Sequence, residues 1–97
     1  MSITVFIDGQ IQSDKIADTK SFMAQVMPDT RSYDGCQGVD VYFNLDDPVN
    51  MVVVEQWESL GHFEKYQQWR KETGIMDKIV SMQTRPPSIQ YFERADA

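Results

Sequence analysis

The sequence contains one cysteine, one histidine and few basic residues. Each of these low counts argues against certain kinds of site or partner. Cys36, the single cysteine, cannot form an internal disulfide, which fits a reducing cytosol. Nine Lys and Arg residues against fifteen Asp and Glu residues give a net charge of −6, which disfavours binding to phosphate backbones and anionic membrane surfaces. We therefore expect neither nucleic acid nor a membrane as a partner.

Long apolar runs and glycine-rich loops are also missing. No apolar run approaches the roughly 18–20 residues of a membrane-spanning helix, and residues 1–10 lack the basic start and long apolar core of a signal peptide. One histidine and one cysteine are too few ligands for a typical metal site, and no glycine-rich strand-to-helix loop could hold a dinucleotide. We therefore expect a cytoplasmic protein without metal, haem or flavin.

The 97 residues that are present fit a single domain, residues 1–97. Alternating apolar residues predict the strands, and apolar residues at helical spacing predict the helices. In order, the elements are a strand at 3–11, a helix capped by Ser13 or Asp14, strands at 38–44 and 51–58, a helix capped by Ser59, a short helix at 75–82 and a strand at 89–92. The βαββαβ order predicts a ferredoxin-like α+β fold, with a four-stranded antiparallel sheet and both helices on one face.

Three residues are expected to disturb this regular pattern. Gly9 interrupts the first strand and predicts a bulge. Pro28 lacks a backbone N–H and crowds the preceding turn, so it is expected to kink or interrupt the first helix. Gly74 is expected to separate the second helix from the short third helix.

The predicted fold leaves one face of the sheet without a cover. A chain of this length buries only roughly 60–65% of the surface that its unfolded form exposes, so its own core is marginal. A second copy of the same sheet is the simplest cover for an apolar sheet face. The sequence therefore predicts a homodimer.

Three stretches together resemble the antibiotic biosynthesis monooxygenase family in their order and spacing. They are Asp34-Gly35-Cys36 with Val39-Asp40-Val41-Tyr42 and Asp46-Asp47-Pro48, then Val52-Val53-Val54-Glu55-Gln56-Trp57-Glu58-Ser59, then Pro86-Pro87-Ser88-Ile89-Gln90-Tyr91-Phe92. With the element order, the resemblance covers nearly the whole chain. It implies a dimeric α+β barrel, in which two sheets face each other, the helices lie outside, and each subunit keeps a small pocket.

The resemblance also implies a range of activities. Some members of the family oxidise electron-rich phenols or quinols with O₂ and no metal or flavin, whereas others degrade haem or isomerise or cleave small metabolites. This chain departs from the pattern, because many relatives have a His where it has Tyr66 and a Ser-Pro-His where it has 69–71. Its first strand also lacks the Asn of the haem-degrading branch, so haem degradation is not expected.

The second helix carries residues suited to acid–base chemistry. His62, Tyr66 and Trp69 share one helical face, with Arg70 at its flank. A His and a Tyr can exchange protons near neutral pH, a Trp can stack on a planar substrate, and an Arg can hold a phenolate or enolate oxygen. We therefore predict His62, Tyr66 and Arg70 as catalytic residues and Trp69 as a substrate-binding residue.

Four residues of the predicted sheet are secondary candidates for substrate binding: Tyr42, Glu55, Trp57 and Tyr91. If the strand face of Glu55 meets the helices, its carboxylate lies in an apolar setting with a raised pKa. Each of these candidate residues also has a purely structural explanation. The aromatic residues suit a core, Arg70 and Glu55 suit ion pairs, and His62 suits a partly exposed helix position.

The candidates support three hypotheses. The first is a cofactor-independent monooxygenase that acts on a small aromatic or quinol-type molecule with molecular oxygen. The second is a dimeric module that binds a small hydrophobic metabolite without turnover, and the third is a non-oxidative isomerase or decarboxylase. A pocket that holds His62 with Tyr66 or Arg70 would favour an enzyme, whereas an apolar pocket with all polar tips outside would favour the module.

Overall fold

The computed structural model describes residues 2–95, which form four strands and three helices. The elements are β1 (Ile3–Gln10), α1 (Ile16–Arg31), β2 (Cys36–Phe43), β3 (Asn50–Trp57), α2 (Leu60–Glu72), α3 (Ile75–Ser81) and β4 (Ser88–Glu93). Their order and type agree with the prediction, because alternating and helical apolar spacings are distinct along most of this chain.

The strands form one antiparallel sheet in the order β2-β3-β1-β4. β1 pairs with both β3 and β4, so Val5 lies opposite Glu55 on one side and opposite Tyr91 on the other. The core lies between the helices and the sheet face that carries Val5, Met51 and Trp57. This architecture confirms the predicted ferredoxin-like α+β fold.

The irregularity in the sheet lies in β2 and not at Gly9. Gly9 pairs with Met51 in unbroken register, so the predicted bulge is wrong. The register shifts between Cys36 and Gly38 instead. A Cβ at Gly9 would come 3.0 Å from Oε1 of Gln83, so the glycine makes room for the close approach of that amide.

The start of α1 also differs from the prediction. Ser13 and Asp14 form a turn, in which the backbone N–H of Lys15 donates to the carbonyl oxygen of Gln12. The helix therefore begins at Ile16, and no side chain caps its N-terminus. Local turn formation competes with capping for residues of this type, which is why the predicted cap is wrong.

Pro28 does not interrupt α1, which continues to Arg31. The side chains of Met27 and Thr30 are buried against the rest of the fold on either side of the proline. This packing holds the last helical turn, although the proline removes one backbone hydrogen bond. Gly74 separates α2 from α3 as predicted, in a left-handed conformation with φ of 79°.

The sheet face that points away from the helices carries apolar side chains. Phe6, Tyr42 and Phe92 are 39%, 56% and 47% exposed, and the rings of Phe6 and Phe92 meet edge to face at 5.0 Å. This surface, together with Val52 and Val54, is called the open sheet face below. No helix within residues 2–95 has both the length and the apolar character needed to cross a membrane.

Candidate functional site

A cavity of about 260 Å³ lies between the helix-covered face of the sheet and the helices. Most of its wall is apolar and comes from Ile7, Gly9, Met23, Met27, Met51, Val53, Phe63, Met76, Ile79, Val80, Pro87 and Ile89. Five residues with polar groups complete the wall: Glu55, Tyr66, Gln67, Arg70 and Gln83. A mainly apolar cavity with a few polar groups is typical of a small-molecule site.

Glu55 presents its carboxyl group to this cavity from β3. The residue is 3% exposed and lies on the same strand face as Met51 and Val53, so the face does meet the helices. Nε1 of Trp57 donates a hydrogen bond to Oε1 of Glu55 at 2.9 Å. Oε2 has no hydrogen-bond partner within residues 2–95 and can therefore accept a proton from a ligand.

Burial raises the pKa of Glu55 from its ordinary value of 4.5 to about 7. Loss of hydration of the charged carboxylate is the largest cause, while the hydrogen bond from Trp57 and the positive charge of Arg70 lower the pKa. A carboxyl group that titrates near neutrality can accept a proton and return it, as a general base must.

Arg70 brings a fixed positive charge from α2 to the same cavity wall. It is 4% exposed. Its Nε donates to the Tyr66 hydroxyl at 3.0 Å, and its Nη2 donates to the carbonyl oxygen of Val26 and to Oγ1 of Thr30, both at 2.8 Å. Nη1 makes no hydrogen bond within the described part of the chain, so its two N–H groups remain for an anionic ligand.

Tyr66 and Thr30 hold the guanidinium group of Arg70 in place. Their oxygens lie 2.7 Å apart, and each also contacts Arg70. Burial raises the pKa of the Tyr66 hydroxyl, against the opposing effect of its hydrogen bonds with Arg70 and Thr30. The phenol therefore stays neutral near pH 7 and acts as a hydrogen-bonding group rather than as a base.

Glu55 and Arg70 share the cavity wall, yet no ion pair joins them. Both side chains are buried, and the charge of Arg70 is only the third cause of the pKa of Glu55. Separated buried charges cost several kcal/mol unless other groups satisfy them. Here the carbonyl of Val26 and the hydroxyls of Thr30 and Tyr66 solvate the cation, and the raised pKa keeps part of the carboxyl population neutral.

Thr30 and Gln83 were not among the residues predicted from the sequence. Thr30 follows Met23 and Met27 at helical spacing on α1, and that spacing was the available signal for its burial. Gln83 is 8% exposed, and its Oε1 is sealed from water without a hydrogen-bond partner within residues 2–95. Its Nε2 donates to the carbonyl oxygen of Ile79 at 3.5 Å.

His62 lies outside the cavity lining. The buried stripe of α2 consists of Phe63, Tyr66 and Arg70, so position 62 falls on its flank. Ser59 caps the helix as predicted, because its Oγ accepts a hydrogen bond from the backbone N–H of His62. The same Oγ lies 2.7 Å from Nδ1 of the His62 ring, and the ring covers Gly35.

Trp69 follows His62 by seven residues, so it lies on the same flank of the buried stripe, and it is also absent from the cavity lining. Its ring stacks on Tyr33 with the centroids 5.0 Å apart. The guanidinium carbon of Arg70 lies 4.6 Å from the centre of the Trp69 ring. In this arrangement Trp69 supports the position of Arg70 from outside the cavity.

The four sheet residues predicted to bind substrate do not all lie at the cavity. Tyr42 is exposed on the open sheet face, and Tyr91 is half exposed on edge strand β4, with its ring 5.8 Å from that of Phe63. Trp57 is fully buried and reaches the site through its hydrogen bond to Glu55. Of the four sheet candidates, Glu55 is the one that lines the cavity.

The polar groups of the cavity suit an organic ligand better than a metal ion. They comprise one carboxyl, one phenol, one guanidinium and two amides. Within residues 2–95, no three His, Cys, Asp or Glu residues are grouped in a way that could hold a metal. The arrangement can remove a proton from a ligand and stabilise the anion that results.

A comparison with protein families finds that the profile of the antibiotic biosynthesis monooxygenase family matches residues 2–71. The match covers β1 to most of α2, which includes Glu55, Tyr66 and Arg70. A comparison with curated protein sequences finds no significant match.

Three solved structures from bacteria illustrate the likeness in fold. Rv0793 from Mycobacterium tuberculosis superposes with a TM-score of 0.87 at 18% identity, over 100% of this chain and 98% of the other. A putative antibiotic biosynthesis monooxygenase from Deinococcus radiodurans has a TM-score of 0.84 at 21% identity, over 100% and 95%. SnoaB, a cofactor-independent oxygenase from Streptomyces nogalater, has a TM-score of 0.85 at 11% identity, over 99% and 95%. At these identities the likeness establishes the fold alone.

Proposed function

Given that the chain belongs to the antibiotic biosynthesis monooxygenase family, we propose that it oxygenates a small aromatic or quinol-type molecule without a metal or organic cofactor. One observation carries the proposal: Glu55 and Arg70 line the same apolar cavity without an ion pair between them. The first can take a proton from a phenolic hydroxyl, and the second can hold the oxygen anion that forms.

The proposed reaction begins when Oε2 of Glu55 accepts the hydroxyl proton of the substrate. The anion is held by the free Nη1 of Arg70 and is richer in electrons than the neutral phenol, so it can pass an electron to O₂. With a quinol, one oxygen atom enters the ring and the other leaves as water, which yields a hydroxyquinone. The substrate supplies all the electrons, so no external reductant is needed.

We assign the role of the base to Glu55 rather than to His62. The His62 ring is engaged by Ser59 and lies over Gly35, outside the cavity lining. Arg70 keeps the role that the sequence suggested, as the site that holds the anion. Tyr66, which the sequence suggested as a proton-exchanging residue, is assigned here as a group that orients Arg70. Three residues support the cavity wall from outside it. Trp69 contacts Arg70, Trp57 donates to Glu55, and Tyr91 contacts Phe63.

The proposal includes a homodimer in the cytosol. The open sheet face presents Phe6, Tyr42 and Phe92 to solvent in a single chain, and exposed apolar patches of this kind usually mark interfaces. A second copy of the same face would cover them. The unpaired Cys36 is consistent with a reducing compartment.

Oxygen consumption tests the proposed activity. The purified chain is mixed with a panel of quinols and naphthols in air-saturated buffer, and O₂ uptake is followed with an electrode. We expect at least one substrate for which uptake exceeds autoxidation and falls at least a hundredfold in Glu55→Gln, because an amide cannot act as the base. Lys65→Gln, on the exposed side of α2, is the matched control and should keep the wild-type rate.

A non-oxidative isomerase or decarboxylase is the second candidate. The free oxygen of Glu55 and its pKa near 7 also suit proton transfer between carbon and oxygen. Such an enzyme would convert its substrate equally well under argon, whereas the proposed oxygenase would stop. A pure binding module is disfavoured, because a carboxyl and a guanidinium group lie inside the cavity.

A further inference from the structure

We propose that Gln83 is a specificity-determining residue whose amide oxygen accepts a hydrogen bond from a donor on the ligand, at the end of the cavity remote from Glu55. The ligand class that follows is a two-ring aromatic molecule with a polar group at each end, one of them a hydrogen-bond donor aimed at Gln83. The inference rests on the proposed function only in taking this cavity as the ligand site.

One neighbour sets the orientation of the Gln83 amide before a ligand binds. The carbonyl oxygen of Ile79 can only accept, so the amide nitrogen must face it, and Oε1 is the atom left without a partner. A buried polar atom without a partner costs about 1–3 kcal/mol. An apolar side chain would avoid that cost, and a wall with four methionines shows that such side chains are accepted here. A ligand donor would give the glutamine its missing partner.

The distance to Glu55 follows from the sheet register. The amide of Gln83 rests on Gly9, which pairs with Met51, four residues before Glu55 on β3. Four residues of strand span about 13 Å. If the two side-chain polar groups lie as far apart as these backbone positions, two hydrogen bonds of about 2.8 Å leave about 8 Å between the terminal polar atoms of the ligand. Two fused rings with substituents at opposite ends fit that span.

The cavity volume agrees with a ligand of this size. About 260 Å³ exceeds the roughly 150 Å³ that admits benzene in an apolar cavity. It lies just below the roughly 300–1,000 Å³ typical of drug-sized ligands. A bicyclic molecule therefore fills the cavity better than one ring and more easily than three or four.

Oε1 must turn towards the cavity when the ligand binds. Rotation about the last side-chain torsion of a glutamine is soft, because it joins a tetrahedral to a planar carbon. This rotation gives up the bond from Nε2 to the carbonyl oxygen of Ile79, which is weak because it is long at 3.5 Å, and replaces it with a ligand bond of ordinary length at Oε1. Gly9 has no side chain to obstruct the rotation, and the adjacent Met51 is unbranched and can adjust.

Calorimetric binding under argon tests the proposal with three probes. 2,6-Dihydroxynaphthalene has a donor at each end, 2-naphthol lacks the second hydroxyl, and 6-methoxy-2-naphthol has a second oxygen that cannot donate. We expect the wild-type chain to bind the diol about tenfold more tightly than either of the others. In Gln83→Met the preference should fall below twofold, with the affinity for 2-naphthol unchanged or higher.

Two further variants keep the test decisive. Gln83→Leu should repeat the loss of preference, and Gln68→Met, an exposed glutamine on α2, should keep the full preference. Three results would overturn the proposal. They are equal wild-type affinity for the diol and 2-naphthol, no binding of either probe, and a preference for the diol that survives in Gln83→Met and Gln83→Leu. Because no turnover is involved, absence of O₂ uptake with the preference intact would count against the oxygenase alone.

Discussion

Nε1 of Trp57 donates a 2.9 Å hydrogen bond to Oε1 of Glu55, two residues earlier on the same face of β3. Both residues are almost completely buried. The bond leaves one carboxyl oxygen fixed and the other free, and it lowers the pKa of Glu55 against the stronger effect of burial. The indole therefore orients the proposed base and lowers the pH at which it ionises.

Replacing Trp57 with Phe should raise the pKa of Glu55 above its value of about 7. The charged carboxylate would lose its hydrogen bond, while Phe keeps an aromatic ring among Tyr33, Phe63 and Tyr66. A hydrogen bond to a charged group is worth about 1.5–3 kcal/mol, which corresponds to one to two pH units. Titration of the Glu55 carboxyl carbon by NMR measures the shift without a substrate. An unchanged or lower pKa would contradict the assignment.

Glu55 should make the folded chain less stable as the pH rises. Its pKa is about 7 in the folded state and 4.5 ordinarily, so between these values the folded state binds more protons than the unfolded state. Its contribution is thus full below pH 4.5 and is lost as the pH passes 7. Relative to Glu55→Gln, which does not titrate, the wild-type chain should lose about 2 kcal/mol between pH 5.5 and pH 8. Urea unfolding of both chains at several pH values checks this difference, and a constant difference would contradict it.

Removing the hydroxyl of Thr30 should weaken the anion site more than it slows the chemistry. Thr30→Val leaves Arg70 and Tyr66 each without one hydrogen-bond partner in a fully buried position. We expect a stability loss of about 1–3 kcal/mol, together with a KM that rises several-fold for a substrate whose anion Arg70 holds. Thr30→Ser keeps the hydroxyl and should restore KM, although not all of the stability. A KM that stays at the wild-type value in Thr30→Val as well as in Thr30→Ser would show that Thr30 is merely structural.

The sequence predicted the elements of this fold more completely than its site. Strand alternation placed Glu55 on one face with Met51 and Val53, and helical spacing placed Tyr66 and Arg70 within one turn. Both patterns are local, so they survive in the structure. The buried stripe of α2 includes Phe63 and leaves His62 and Trp69 on its flank, however, because its position depends on how the helix rotates against the sheet.

Thr30 and Gln83 could not be assigned roles in the same way. Thr30 meets Tyr66 and Arg70 across 36 and 40 residues of sequence, and Gln83 meets Gly9 through the return of the chain after α3. Such contacts are set by tertiary packing, and a lone Thr or Gln in a polar stretch is typical of the surface. Gly9 shows the same limit, because a glycine inside a strand indicates either a bulge or the close approach of another group, and the sequence alone does not distinguish the two.

The open sheet face should hold two copies of the chain together. Phe6→Glu would place a charge in the centre of this face, beside Phe92 and opposite Val54 of β3. If two such faces pack together, more than roughly 1,000 Å² of surface is buried in total, and a charge without a partner there costs several kcal/mol. Light scattering at micromolar concentration should therefore give the mass of a dimer for the wild-type chain and half that mass for the variant. Leu60→Glu replaces an exposed leucine at the start of α2 and should leave the dimer intact. A wild-type chain that is monomeric at this concentration would contradict the predicted homodimer.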